Sequence, residues 1–134
     1  MTQEMGQIDF EILFFERLIA SKNDFVEAMI PLADAYTQKG MIEKGYALDL
    51  RLSQLKPRDE SVFYNLACSE ALLGKRDEAI RSLRTAVELG YLDLVHLLGD
   101  KDLSSLQDLP EFLVIVNSLK TRLRSLAKNR GKPK

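Results

Sequence analysis

Cys68 and His96 are the only cysteine and the only histidine in a chain of 134 residues. A thiolate beside an imidazole makes a nucleophile and its base, and an imidazole alone moves protons near neutral pH. The two are far apart in sequence, and neither sits in a motif. GxGxxG, a Walker loop, HExxH and paired CxxC are all absent. One histidine is too few for most histidine-based metal sites and catalytic triads. His96, inside the apolar run YLDLVHLLG, is expected to be a partly buried structural residue, and Cys68 a small residue lining a helix. The expectation is a protein without catalysis, cofactor or metal, whose function lies in a surface.

The elements that shape such a surface are helices. Apolar residues recur at intervals of three and four, no alternating β-branched run appears, and the prolines fall at 31, 57, 110 and 133. The periodicity predicts an all-α chain with helices at about 8–21, 24–39, 42–55, 60–73, 76–89 and 109–128, and short turns between 94 and 107. Asp24 with Glu27, and Asp108 with Glu111, read as capping boxes. Pro31 falls inside one helix, so a kink or a shifted start is expected there. In the last helix Phe112, Ile115, Val116, Leu119, Leu123 and Leu126 form one apolar stripe.

The chain suits a single domain with a real core. A lone cysteine implies a reducing compartment, and MTQEMGQIDFE has acids where a signal peptide needs basic residues, so a cytoplasmic location is expected. The apolar runs ILFF and FLVIV are far too short to span a bilayer. Net charge is -1, yet residues 117–134 hold seven basic residues and no acid, leaving 12 basic against 20 acidic residues before them.

Sliding the sequence along itself by 34 places aligns residues 26–59 with 60–93 without a gap. Five positions are identical: Leu32 and Leu66, Ala33 and Ala67, Gly40 and Gly74, Leu55 and Leu89, Asp59 and Asp93. Ala67 and Ala79 are small where two helices joined by a short turn must come close. Gly74 supplies the positive φ that ends the first of them. Phe63, Leu66, Leu83 and Ala86 are expected to fill the space between such pairs.

With FYNLA, Gly74, DEAI at 77–80 and AVEL at 86–89, the segment 60–93 resembles the tetratricopeptide repeat family. Segment 26–59 matches less closely through LADAY at 32–36, Gly40 and Pro57. Gly45 stands there for the family's alanine and Asp49 for a large apolar residue, which predicts looser packing in that copy. FEILFFERLIASKND looks like the second helix of a further repeat, and GYLDLVHLLGDKDLSSLQDLPEF like an irregular array ending. The resemblance implies a short right-handed helical-hairpin solenoid within one domain: a half-repeat helix at 8–24, repeats at 26–59 and 60–93, a cap at 94–128 and a basic tail at 129–134. Two full repeats need such caps to be stable.

In this family the concave face made by the first helix of each pair takes up a peptide. The matching positions are Glu27, Ile30, Pro31, Asp34, Thr37 and Gln38 in the first copy, and Ser61, Tyr64, Asn65, Cys68, Ala71 and Leu72 in the second. Family members that grip a carboxylate tail use a lysine and asparagines. Asn65 matches, whereas Ile30 and Asp34 stand where a lysine and an asparagine are needed. The resemblance therefore implies an adaptor or chaperone-like module. Glu27 and Asp34 favour a partner that is basic or apolar rather than acidic.

Two other readings belong to the chain's ends. The first helix has one apolar face of Phe10, Leu13, Phe14 and Leu18 and a second of Ile12, Phe15 and Ile19. Either the first nine residues cover the second face or a homodimer does. The basic tail could contact nucleic acid, an anionic membrane or the acidic body of another copy. No aromatic residue follows Phe112, so base stacking is absent, and a solubilising helix end whose charges complement the helix dipole is favoured over all three.

Overall fold

The computed structural model describes residues 6–130, and all its regular elements are helical. They are α1 (Gln7–Ser21), α2 (Val26–Gln38), α3 (Ile42–Leu55), α4 (Glu60–Leu72), α5 (Arg76–Glu88), α6 (Leu94–Gly99), a 3-10 helix (Lys101–Leu106) and α7 (Pro110–Arg130). The expected cover from the first nine residues lies partly outside the described residues, as does the tail beyond Arg130. Among the described residues no helix is long and apolar enough to cross a membrane.

Each of the first four helices packs on the next. The offset of 34 carries over to the backbone, since α2 and α4 have corresponding limits and α3 and α5 start at corresponding positions. The two hairpins also turn alike. Gly40 and Gly74 take φ of 86° and 77°, and the next amide closes a wide turn onto the helix end, Met41 to the Tyr36 carbonyl and Lys75 to that of Glu70, both at 2.8 Å.

Ala67, Ala79, Leu83 and Ala86 are fully buried where α4 meets α5, the close approach their size predicts. This core continues through Leu97, Leu103 and Leu106 into the apolar side of α7, where Phe112, Ile115, Val116 and Leu119 are buried. At ~1.5–3 kcal/mol for each large side chain removed from water, these four dominate the docking of α7. Leu123 packs at the margin. Leu126, expected in the stripe, is 42% exposed because α7 has by then run past its support. A smaller core joins Met29, Ala33, Leu52 and Val62.

Several local expectations are corrected. Helix α2 starts at Val26 behind Phe25, with no side-chain cap, so Asp24 sits too early to form a capping box with Glu27. The helix then runs on through Pro31, which removes only the bond to the Glu27 carbonyl. Asp108 accepts from Arg76 Nη2 at 2.8 Å instead of capping α7. The caps that do form are Asp59 on the Ser61 and Val62 amides, Asp93 on that of His96 and Asp100 on that of Asp102.

Gly45 produces tighter packing, not looser. A Cβ there would lie 2.9 Å from Thr37 Oγ1 and 3.3 Å from the Ala33 carbonyl oxygen, so α3 approaches α2 more closely than alanine allows. At the N-terminus, Ile12, Phe15 and Ile19 are half-buried, with Ile19 packed on the smaller core. The outward face of α1 is the other one, with Phe10 55%, Leu13 37% and Phe14 48% exposed.

Candidate functional site: an aspartate-lined concavity

Residues from α2, α3, α4 and the segment α6 to the 3-10 helix enclose a concavity of about 250 Å³. Helical spacing builds two of its walls. Ala33 and Thr37 form one row on α2, with Asp34 beside them; Tyr64 with Cys68 and Asn65 with Ser69 form two rows on α4. The floor follows from Gly45. Asp49 lies one turn further along the same side of α3, and the close approach sends it into the gap between α2 and α4. There it is 4% exposed and accepts a hydrogen bond from Ser69 Oγ at 2.6 Å.

The last wall is fixed by Asp100, which separates α6 from the 3-10 helix. Its Oδ1 accepts from the Asp102 amide at 3.0 Å. Its Oδ2 accepts from the Tyr64 hydroxyl at 2.6 Å and from the Cys68 thiol at 3.6 Å, and stands 3.4 Å from His96 Nε2. The Tyr64 ring stacks on Tyr91 with centroids 4.3 Å apart. The chain's own α6 to 3-10 segment thus covers Tyr64 and Cys68, and Ser105 Oγ reaches the Ala71 carbonyl at 3.4 Å.

Of the positions nominated from sequence, Asp34, Thr37, Tyr64, Asn65 and Cys68 line this concavity. Glu27, Ile30, Gln38, Ser61 and Leu72 are exposed outside its lining, although Gln38 Nε2 donates to Asp34 Oδ2 at 2.6 Å. Pro31 is half-buried and Ala71 buried. The sequence reading missed Asp49, Ser69, Asp100 and Asp102. Asp49 was visible as a carboxylate in an apolar position. Ser69 lies one turn beyond Asn65 on α4, facing Asp49, and Asp100 and Asp102 join them only when the irregular segment after Gly90 folds back. His96 is not partly buried but 58% exposed, at the rim.

Asp34, Asp49, Asp100 and Asp102 face the concavity, and His96 is the only basic side chain in its lining. Burial pushes the Asp49 carboxyl up to about 6, with the charges of Glu70 and Asp34 adding to it and the Ser69 bond opposing. Burial also raises Asp102, followed by the charges of Asp100 and Asp34. Cys68 is driven well above the usual thiol range by burial, then by Asp100 and Asp102, so it stays a protonated thiol without nucleophilic character. Among the described residues, Cys68, Asp100 and Asp102 each bring one donor atom within 4.8 Å of the others and are the group that could hold a cation. Asp100 is already engaged by Tyr64, Cys68 and the Asp102 amide.

No protein-family model matches the chain, and no curated protein matches it at a significant level.

Proposed function

We propose that this chain is a non-catalytic, tetratricopeptide-like binding module that holds a lysine- or arginine-bearing segment of another protein in the concavity between α2 and α4. The observation that carries the reading is the meeting of four aspartates, from α2, α3 and the start of the 3-10 helix, around one hollow with no lysine or arginine in its lining. Burial chiefly raises Asp49 and Asp102, the charges of Asp34 and Asp100 add to it, and an incoming cation relieves that added repulsion. A side chain with a long apolar stem and a charged head suits the place, because the stem passes Tyr64 and Asn65 while the head reaches the carboxylates. The paired hairpins with matching turns support the array-like reading of the scaffold.

The test is fluorescence anisotropy with three short labelled peptides, lysine/arginine-rich, neutral and acidic. Binding of the basic peptide alone is expected, weakened about tenfold by Asp34→Asn with Asp102→Asn and by raised salt. Equal binding of all three peptides, or no effect of the double substitution, overturns the assignment.

A further inference from the structure

The basic end of α7 has no role in the fold. Buried residues on this helix stop at Leu119, and every residue from Arg124 to Arg130 is exposed. Lys120, Arg124 and Lys128 follow one another at intervals of four, and no acid occurs after Glu111. Like charges at that spacing weaken a helix by a few tenths of a kcal/mol per pair. The helix dipole offsets this for Lys128 and Arg130 in the last turn but not for Lys120 and Arg124, because its effect fades within a turn. Arg122 is different: it packs inward and donates to the Val87 carbonyl.

The opposite charge is concentrated elsewhere on the same chain. We propose that the exposed basic side of α7 docks against the aspartate-lined concavity of a second copy, so that free chains compete with the partner segment for one site. This rests on the reading of the concavity given above. The molecule's own concavity is out of reach, because the first half of α7 is fixed on α5 and α6 and a continuous helix cannot turn its far end back toward α2 and α4. A nucleic acid or an anionic membrane is a poorer occupant. The rest of the chain holds 12 basic against 20 acidic residues and repels a polyanion, and no aromatic side chain follows Phe112 to stack on bases. A second copy presents both signs in complementary places. The contact joins different surfaces of the two copies, so made once per pair it builds chains or rings, and made reciprocally it closes as a two-fold dimer.

Sedimentation velocity of the full chain over a range of concentrations tests this with two charge-reversed variants. One carries Lys120→Glu, Arg124→Glu and Lys128→Glu; the other carries Asp34→Lys and Asn65→Lys. All five positions are exposed, and circular dichroism checks that both variants fold. The wild type is expected to self-associate, at least tenfold more weakly near 0.5 M salt than near 0.05 M. Each variant alone is expected to be monomeric. An equimolar mixture is expected to associate, because the unaltered helix of one variant meets the unaltered concavity of the other and the two reversed surfaces match as well. A monomeric wild type, association that persists in either variant, no recovery in the mixture, or tail-dependent binding of RNA or anionic vesicles without self-association each overturns the proposal. A chain that binds the basic peptide but stays monomeric loses this inference and keeps the proposed function. Self-association indifferent to Asp34→Lys with Asn65→Lys, together with no peptide binding, removes both.

Discussion

Tyr64 donates its hydroxyl proton to Asp100 at 2.6 Å, across 36 residues of chain, and this bond fastens the irregular C-terminal segment onto the second helical pair. It acts on both neighbours. Burial, and then the bond itself, hold the phenol well above its usual range, so Tyr64 remains a donor at any physiological pH. Asp100 in turn is fixed where it can cap the 3-10 helix with its other oxygen.

Tyr64→Phe should therefore cost about 1.5–3 kcal/mol, the range for a hydrogen bond to a charged group. The carboxylate keeps the weak thiol donor, the Asp102 amide and the neighbouring His96 Nε2 at 3.4 Å. The loss should be local before it is global. In hydrogen exchange, amides of the 3-10 helix and the start of α7 should exchange faster, while those of α2 and α3 change only with overall stability. Urea denaturation gives the total, and unchanged stability with unchanged exchange would mean that Asp100 is held by its backbone alone.

Gly45→Ala should reverse the usual sign of its substitution. Within an ordinary helix, alanine gains about 1 kcal/mol over glycine. Here the added methyl lies 2.9 Å from Thr37 Oγ1 and 3.3 Å from the Ala33 carbonyl oxygen, so overpacking should give a net loss of about 1–3 kcal/mol. Adding Thr37→Ala should recover only part of it, because the carbonyl contact remains. A Gly45→Ala protein more stable than the wild type in thermal melts would show that α3 can move away from α2 freely.

What sequence could and could not reveal follows from the range of the interactions. Gly40, Gly74, Ala67 and Ala79 act within one hairpin, and their spacing was enough to locate both pairs and their turns. Cys68 as a residue lining a helix was similarly local, whereas Asp59, evident only as a position repeated at Asp93, turns out to cap α4. Asp100 and Asp102 were opaque, because what they touch depends on a segment without helical periodicity folding back over α4. Gly45 and Asp49 were noticed as departures, but read as a loss of packing. Only the backbone distance between α2 and α3 reveals that the glycine permits a closer approach, and that the aspartate one turn later fills the resulting gap. On α1, two apolar faces were evident, yet which one meets α2 is settled by the entry of the chain at Phe25 and by the bond from Tyr36 to Glu16 at 2.6 Å, neither of which has a signature in the sequence.

Asp49 makes stability depend on pH in a direction opposite to that of a salt-bridged carboxylate. In the unfolded chain it ionises near 3.8, and in the fold near 6. Between these values the native state keeps a proton that the unfolded state has released, so stability should fall as pH rises from about 4 to about 6 and then level off. At most the difference corresponds to about 3 kcal/mol. Asp49→Asn keeps the size and an acceptor for the Ser69 hydroxyl but removes the charge. It should be about 1–3 kcal/mol more stable than the wild type at pH 7 and close to it at pH 4. Glu70, bonded to Ser82 at 2.5 Å and also raised chiefly by burial, adds its own slope of the same sign, so the quantity to follow is the difference between the two proteins in urea denaturation at each pH. A difference that is constant from pH 4 to pH 8, or a less stable variant at pH 7, would contradict the buried charge. The same substitution removes one of the four carboxylates around the concavity, so on the proposed function the variant that folds more stably should bind the basic peptide more weakly.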